Sequence, residues 1–344
     1  MSTLKKKGYS FVKIIIIVIL LFLIGLSGST LVLKSLETPL QIYSEKPCPD
    51  AVYFGTSATY RYWMAPEAYL QQGITVYTYS AGAFSGFAYK YFIDDVLDYQ
   101  DPEMIIIEIR PFAQPDNRKT DHVQIALDYM PFSPHKYMLL YEYLLYAHKY
   151  DMPIADNPKN YLPVQFRDDK TIEIVQGHIV KHSIYKGFLV SEETDNCTPY
   201  DDRPYVKGTA KLPYDGEEDF VELLDYCDKL DCRVLFVASP VVGNLEKQKC
   251  LNLLTQMARD RGYDCLNFNN YRDYNAMGLD SKTDFYNSRH VNIKGALKYT
   301  SYFAEILRKD YNLKDHRGDP DYKSWQESGE KLRTEYKKLT ESMK

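Results

Sequence analysis

The chain has 344 residues, which is enough for one large α/β domain with insertions or for two small domains. Its 42 basic and 47 acidic residues give a net charge of −5, and this lack of a basic excess argues against wholesale nucleic-acid binding. We therefore expect one main domain and no nucleic-acid partner.

An uncharged, mostly apolar stretch lies near the N-terminus, from Ile14 to Leu33, after a basic segment over residues 1–13. About 20 such residues span the hydrocarbon core of a bilayer as a helix. A cleavable signal peptide is the rival interpretation, but no A-x-A-like site follows, so we favour a retained anchor. Lysines are more numerous before the stretch than after it. This bias predicts a single-pass cell-membrane protein with a cytoplasmic N-terminus and an extracellular main domain.

A linker over residues 34–50 leads into five apolar runs that predict buried strands, most of them separated by helical patterns. Continuous apolarity of this kind suits a parallel sheet that is covered on both faces. We expect an α/β fold with a doubly wound, mostly parallel five-stranded sheet over residues 51–310. The predicted strands are Ala51 to Phe54, Ile74 to Tyr79, Met104 to Ile109, Arg233 to Ala238 and Asp264 to Phe268.

The stretch at about 111–213 interrupts this rhythm and is predicted to be an insertion between the third and fourth strands. It contains a predicted helix from His135 to Tyr150 and a short predicted strand from Thr171 to Val175. Residues 311–344 form a charged helical tail. Its charge pattern predicts a solvated helix, with a partner-docking helix as the alternative.

The six cysteines show no CxxC pair and no paired metal knuckle. An even count is compatible with disulfides outside the cell, whereas buried thiols are the simpler interpretation. We expect neither a metal nor a cofactor.

Ser57 is the candidate nucleophile. It follows the first predicted strand directly, in the sequence Gly55-Thr56-Ser57. A glycine permits a sharp turn from strand to helix, and the start of a helix supplies backbone N–H groups for a developing oxyanion. Helix capping by Thr56 or Ser57 is the plainer interpretation.

His290 is the candidate general base, because it enters a predicted C-terminal helix for which Asn292 is a plausible N-cap. Asp284 and Asn287 compete to orient its imidazole. A carboxylate both orients the ring and stabilises its charged form, whereas an amide can only orient it. Electrostatics therefore favours Asp284, and the spacing does not decide between the two.

These residues resemble the motifs of the SGNH (GDSL-like) hydrolase superfamily. Gly55-Thr56-Ser57 is similar to its Gly-Asp-Ser block, and the run from Asp284 to His290 is similar to its closing Asp-x-x-His block. Ala83-Phe84-Ser85-Gly86 resembles the second block, whose glycine donates a backbone N–H to the oxyanion hole. The resemblance implies a flavodoxin-like sheet of the SGNH type, with Gly86 in the oxyanion site.

The chain departs from the superfamily pattern at three places. Thr56 replaces the aspartate of the first block, and Asn287 stands where the acid of the last block is expected. No asparagine follows the third predicted strand, so Arg110 or another group would have to serve the oxyanion or hold an anionic polymer. A buried structural ion pair is an equally good interpretation of Arg110.

A membrane anchor joined to an external SGNH-like domain resembles the branch with the teichoic-acid D-alanyl transfer protein and the alginate O-acetylation proteins. The resemblance implies a serine acyltransferase or esterase acting on O-acyl groups of envelope glycan or teichoic acid. Its implied partner is a multispanning membrane-bound O-acyltransferase. The alternative is a catalytically silent scaffold that keeps the fold and docks that partner.

Overall fold

The computed structural model describes residues 40–82, 86–113, 126–149, 169–191, 193–194, 206–243 and 245–342. The basic segment 1–13, the predicted anchor 14–33 and residues 34–39 of the predicted linker lie outside these residues. None of the helices in the described ranges qualifies as a membrane span.

A five-stranded, all-parallel sheet forms the centre of the fold, in the order β2-β1-β3-β4-β5. This confirms the expected α/β class. The chain places β2 on one side of β1 and β3 on the other, so the strand order reverses beside β1. Ligands of open α/β sheets bind at such a switch point, outside the carboxyl ends of the strands. The strands are Ala51–Gly55 (β1), Val76–Ser80 (β2), Met104–Glu108 (β3), Arg233–Ala238 (β4) and Asp264–Asn267 (β5).

The three strands β1, β2 and β3 are buried along their whole length, which matches the apolar runs that predicted them. Because successive residues of a strand point to opposite faces, both faces of the sheet are covered along these three strands, as parallel sheets require. The helices are Ser57–Tyr60 (α1), Ala65–Gln72 (α2), Tyr89–Leu97 (α3), Pro134–Lys149 (α4), Asp169–Ile184 (α5), Gly216–Cys227 (α6), Leu245–Asp260 (α7), Tyr271–Ala276 (α8), Ile293–Lys309 (α9) and Lys323–Ser342 (α10). A two-stranded antiparallel hairpin, Phe285–Asn287 (β6) and His290–Val291 (β7), precedes α9.

The predicted strand from Thr171 to Val175 is wrong, because these residues lie within helix α5. The run is short and rich in β-branched residues, which is why it resembled a strand. Val175, Ile179 and His182 are buried, and their spacing places them on one face of a helix. That face packs inward, so the longer helical period overrides the local β propensity.

Helix α10 is not the solvated tail that its charge pattern predicts. Trp325 and Leu332 are fully buried, and the helix packs against α2. A side chain on Gly329 would meet Leu70, so the glycine permits this close approach. The Arg333 guanidinium also donates to both carboxylate oxygens of Glu67 at 2.9 Å. The charged residues thus cover an inner face that belongs to the core.

Five cysteines in the described ranges are free thiols: Cys48, Cys227, Cys232, Cys250 and Cys265. Three of them, at positions 227, 250 and 265, are buried. For these three cysteines, the structure agrees with the simpler interpretation, that they are buried free thiols. The sixth, Cys197, lies outside the described residues.

Candidate active site

Ser57 opens helix α1 immediately after β1, at the carboxyl edge of the sheet. A side chain on Gly55 would overlap Thr59, so the turn from strand to helix is too tight for any other residue at position 55. Thr56 is the N-cap, and its hydroxyl accepts a hydrogen bond from the Ala58 N–H at 3.4 Å. Since Thr56 caps the helix, the hydroxyl of Ser57 does not serve as the cap.

His290 lies in β7, directly before helix α9. The Asn292 side chain accepts from the backbone N–H groups of Lys294 at 3.0 Å and Gly295 at 3.3 Å, which confirms Asn292 as the N-cap. The Nε2 atom of His290 lies 2.7 Å from Oγ of Ser57, although the two residues are far apart in the chain. The fold therefore brings the predicted nucleophile and base into direct hydrogen-bond contact.

Asn287 orients the imidazole. Its Oδ1 lies 2.9 Å from Nδ1 of His290 and also accepts the backbone N–H of Arg289 at 2.9 Å. A backbone N–H can only donate, so the atom that faces it must be the amide oxygen. Nδ1 of His290 then carries the proton and donates to Asn287. Nε2 is left with its lone pair towards Ser57, which is the tautomer that a general base needs.

Asp284, which electrostatics favoured as the partner of His290, is bound elsewhere, and this preference is corrected. Its carboxylate accepts from Lys298 at 2.7 Å, from the Asp280 N–H at 2.7 Å and from the Thr283 hydroxyl at 3.0 Å. The reason is the β6–β7 pairing, in which Asn287 lies opposite His290. Paired residues of an antiparallel ladder share a face, whereas Asp284 precedes β6 and packs against helix α9.

The surroundings of His290 are positively charged. Burial first, and then the charges of Arg110, Arg61 and Arg289, lower the pKa of His290 from its ordinary 6.5 to about 3. The ring is therefore neutral at pH 7 and able to accept a proton. Asn287 cannot offset the positive charge that the ring then acquires, because an amide has no net charge.

Arg110 lies at the end of β3, buried beneath the site. One guanidinium nitrogen donates to the Ser239 hydroxyl at 2.9 Å and to the Pro240 carbonyl at 3.3 Å, and the other donates to the Arg289 carbonyl at 2.7 Å. These contacts tie the ends of β3 and β4 to the loop that carries His290. These contacts suit a positioning role. Among the described residues the guanidinium of Arg110 forms no ion pair, and its contact to an oxyanion stays a prediction.

Gly86, the predicted oxyanion donor, is buried in a 3-10 turn after β2. A side chain at this position would overlap the ring of Phe112. Close packing thus accounts for the glycine by itself, and its role in an oxyanion site stays a prediction. Residues 83–85 of the same motif lie outside the described residues.

Two tyrosines and an arginine also contact the site. Tyr286 stacks on the imidazole of His290, with ring centroids 5.2 Å apart. The guanidinium of Arg61 lies 5.6 Å from the Tyr286 ring. The Tyr62 hydroxyl lies 3.0 Å from the Arg289 carbonyl. Tyr286 is a neighbour of Asn287 in the sequence, whereas nothing in the local pattern distinguishes Arg61, which lies in the turn after α1.

In the ranges that the structure describes, no three His, Cys, Asp or Glu side chains gather as metal ligands. The chemistry available to the site is that of a serine hydroxyl, an oriented imidazole and surrounding cations. No known protein family matches the sequence, and no curated protein is similar to it.

Proposed function

We propose that this protein is a serine acyltransferase or esterase of the SGNH type that acts on O-acyl groups of envelope polysaccharide or teichoic acid. The observation that carries the proposal is the 2.7 Å contact between Nε2 of His290 and Oγ of Ser57, with Asn287 behind the ring. The position of Ser57 beside the switch point of a doubly wound sheet supports it further.

In this reaction Oγ of Ser57 attacks the carbonyl carbon of an ester and its proton passes to Nε2 of His290. The tetrahedral intermediate collapses, the bond to the leaving alcohol breaks, and His290 returns the proton to that alcohol. The acyl group is then carried as an ester on Ser57. A glycan hydroxyl or water then gives its proton to His290 and attacks this ester. The bond from the acyl carbon to Oγ breaks, and His290 returns the proton to Ser57.

The proposal extends to the setting of the enzyme. A retained anchor at residues 14–33 would hold the domain outside the cell membrane, where envelope polymers are made. A multispanning membrane-bound O-acyltransferase would supply or receive the acyl group. Both statements rest on the resemblance and on the apolar stretch in the sequence.

A fluorophosphonate probe tests the nucleophile, because Oγ of an activated serine displaces fluoride and forms a stable bond to phosphorus. We expect the full-length protein to be labelled and the variants Ser57→Ala and His290→Ala not to be labelled. In both variants the esterase kcat should fall by at least about 10³-fold. Ser288→Ala removes an exposed hydroxyl from the loop next to His290 and is the matched control. Equal labelling of wild type and Ser57→Ala would contradict the proposal.

The second candidate is a catalytically silent scaffold that docks a membrane partner. Asn287 in place of a carboxylate, together with the strongly lowered pKa of His290, is the observation that favours it. Complementation discriminates between the two functions. If Ser57→Ala and His290→Ala restore envelope acylation in a deletion strain as well as the wild type does, the scaffold is correct.

A further inference from the structure

A cleft of about 300 Å³ adjoins helix α1, with Tyr60 and Arg61 on one wall and helix α5 on the other. Its volume is at the lower end of small-ligand pockets, about 300–1,000 Å³. Ser57 does not line the cleft, but it begins the same short helix α1 that ends at Tyr60. Burial raises the pKa of the Tyr60 phenol, and hydrogen bonding to Arg61 and to Ser57 acts against that shift. A ligand in the cleft would therefore touch groups that contact Ser57.

The cleft is lined by cations. Arg61 and Lys181 contribute two positive charges, and none of the described residues that line the cleft is Asp or Glu. The Arg61 guanidinium donates to the carbonyl oxygen of Val190 at 2.6 Å, and its buried Nε has no partner among the described residues. Lys181 is exposed on helix α5. In a chain with a net charge of −5, this is a local concentration of positive charge.

The same charges act on the catalytic base. Arg61 is one of the three arginines that disfavour a proton on His290, and it lies over Tyr286, which stacks on the imidazole. Asn287 supplies no negative charge to offset them. An anion bound between Arg61 and Lys181 would weaken this positive field where the imidazolium forms, as an opposite charge does.

We propose that the Arg61–Lys181 cleft binds an anionic group, a phosphate or a carboxylate, on the alcohol part of the ester substrate. Gly82, Leu189 and Val190 also line the cleft, and its two cations and two phenols suit a charged sugar or polyol. The alcohol part is what leaves in hydrolysis and what accepts the acyl group in transfer. The inference rests on the proposed function and narrows its substrates to anionic glycans or polyol phosphates.

A matched set of aryl acetates tests the charge preference with the full-length protein. Methyl 4-acetoxybenzoate is neutral, 4-acetoxybenzoate carries a carboxylate and 4-acetoxyphenyl phosphate carries a phosphate, all on the leaving part. We expect kcat/KM, divided by the uncatalysed rate of each ester, to be at least about tenfold higher for an anionic ester. This advantage should shrink as salt is added, because ions screen the attraction. The two anionic esters distinguish a phosphate from a carboxylate.

Variants of Lys181 test the site, since this exposed side chain can be changed without disturbing the core. Lys181→Gln should raise KM for the preferred anionic ester by about threefold to tenfold, and Lys181→Glu should raise it further. For each variant, the ratio of kcat/KM for the anionic ester to kcat/KM for the neutral ester should fall. Lys170→Gln, an exposed lysine of the same helix that does not line the cleft, is the control and should leave all three rates unchanged.

The outcomes separate the two proposals. If the neutral ester is turned over as well as the anionic ones and Lys181→Glu changes nothing, the anion site is overturned while the esterase stands. If no ester is hydrolysed and no fluorophosphonate is bound, the proposed function and the anion site are both overturned.

Discussion

His290 contacts an amide at Nδ1 and Ser57 at Nε2, and three arginines lie near enough to act on its charge. Asn287 fixes the tautomer that directs Nε2 at Ser57. Burial and the charges of Arg110, Arg61 and Arg289 keep the ring neutral. The ring is therefore oriented for the proposed role of base and is neutral at pH 7, but its protonated form is poorly stabilised.

The first prediction concerns pH. Because a lowered pKa means that the neutral, active form of His290 persists to lower pH, kcat/KM for a neutral ester should stay level from pH 8 to about pH 5. An ordinary histidine, with a pKa of about 6.5, would already lose most of its activity at pH 5. The measurement is a pH–rate profile, with circular dichroism recorded at each pH to verify folding.

Arg289→Gln is the matched variant for this profile. It removes one nearby positive charge from an exposed side chain but keeps the backbone carbonyl that Arg110 and Tyr62 contact. Removing a like charge raises the pKa of His290, so the acid limb should move to higher pH. A wild-type acid limb centred near pH 6.5 would contradict the prediction.

The second prediction concerns Asn287. Asn287→Ala removes the acceptor for Nδ1 of His290, so we expect kcat/KM to fall by about tenfold to 10²-fold because the tautomer is no longer fixed. Asn287→Asp keeps the acceptor and adds a charge that stabilises the imidazolium. It should raise the pKa of His290 and increase kcat/KM at pH 7 by up to about tenfold.

Asn275→Asp, at an exposed position of helix α8, adds the same charge outside the site and should leave the rate unchanged. The rates are measured on a neutral ester, so that charge on the substrate does not enter. If Asn287→Ala is as active as wild type, the amide does not orient the base.

Two elements of the fold, the β1–α1 junction and helix α10, have structural roles that their sequences show only in part. The junction between β1 and α1 presents Ser57 because Gly55 leaves no side chain in the path of Thr59. Helix α10 is rich in charge, yet Trp325 packs against Tyr69 in a tilted arrangement and against Tyr77 edge-to-face, at ring centroid distances of 6.2 and 6.4 Å. An amphipathic helix of this kind is stabilised by the face that it buries.

The third prediction concerns this buried face. Trp325→Ala deletes a fully buried indole and leaves a cavity between α10 and α2, so it should lower the free energy of unfolding by about 3–5 kcal/mol. Lys331→Ala, at an exposed position of the same helix, should change it by no more than about 0.5 kcal/mol. Both values come from denaturant unfolding. Equal, small effects of the two substitutions would show that α10 does not belong to the folded core.

At the scale of the whole molecule, the site is assembled from four distant parts of the chain at the carboxyl edge of one sheet. Ser57 follows β1, Arg110 follows β3, Ser239 follows β4 and His290 lies in the β6–β7 hairpin. Arg110 links three of these parts through the Ser239 hydroxyl and the Arg289 carbonyl, and the Ser239 hydroxyl donates to the Ala58 carbonyl at 3.3 Å. The position of His290 relative to Ser57 thus depends on the packing of the whole domain.

The sequence alone determined the strands and the two residues that meet. A buried parallel strand needs a continuous apolar run, and such a run can be recognised from neighbouring residues alone. All five predicted strands are present, and their ends differ from the predicted ends by a few residues at most. The sequence also singled out Ser57 and His290 from their places at element ends. Their proximity is a feature of the structure, whereas their catalytic roles stay predictions.

Only the tertiary structure decided which side chains share a contact. Asn287 rather than Asp284 meets His290 because of the register of a short hairpin, and Lys298 of helix α9 binds the carboxylate instead. The donors of Arg110 go to carbonyl and hydroxyl groups that lie far away in the chain. Helix α10 buries Trp325 against elements near the start of the domain. Local periodicity cannot encode such choices, because each depends on register and packing between residues that are neighbours only in the folded chain.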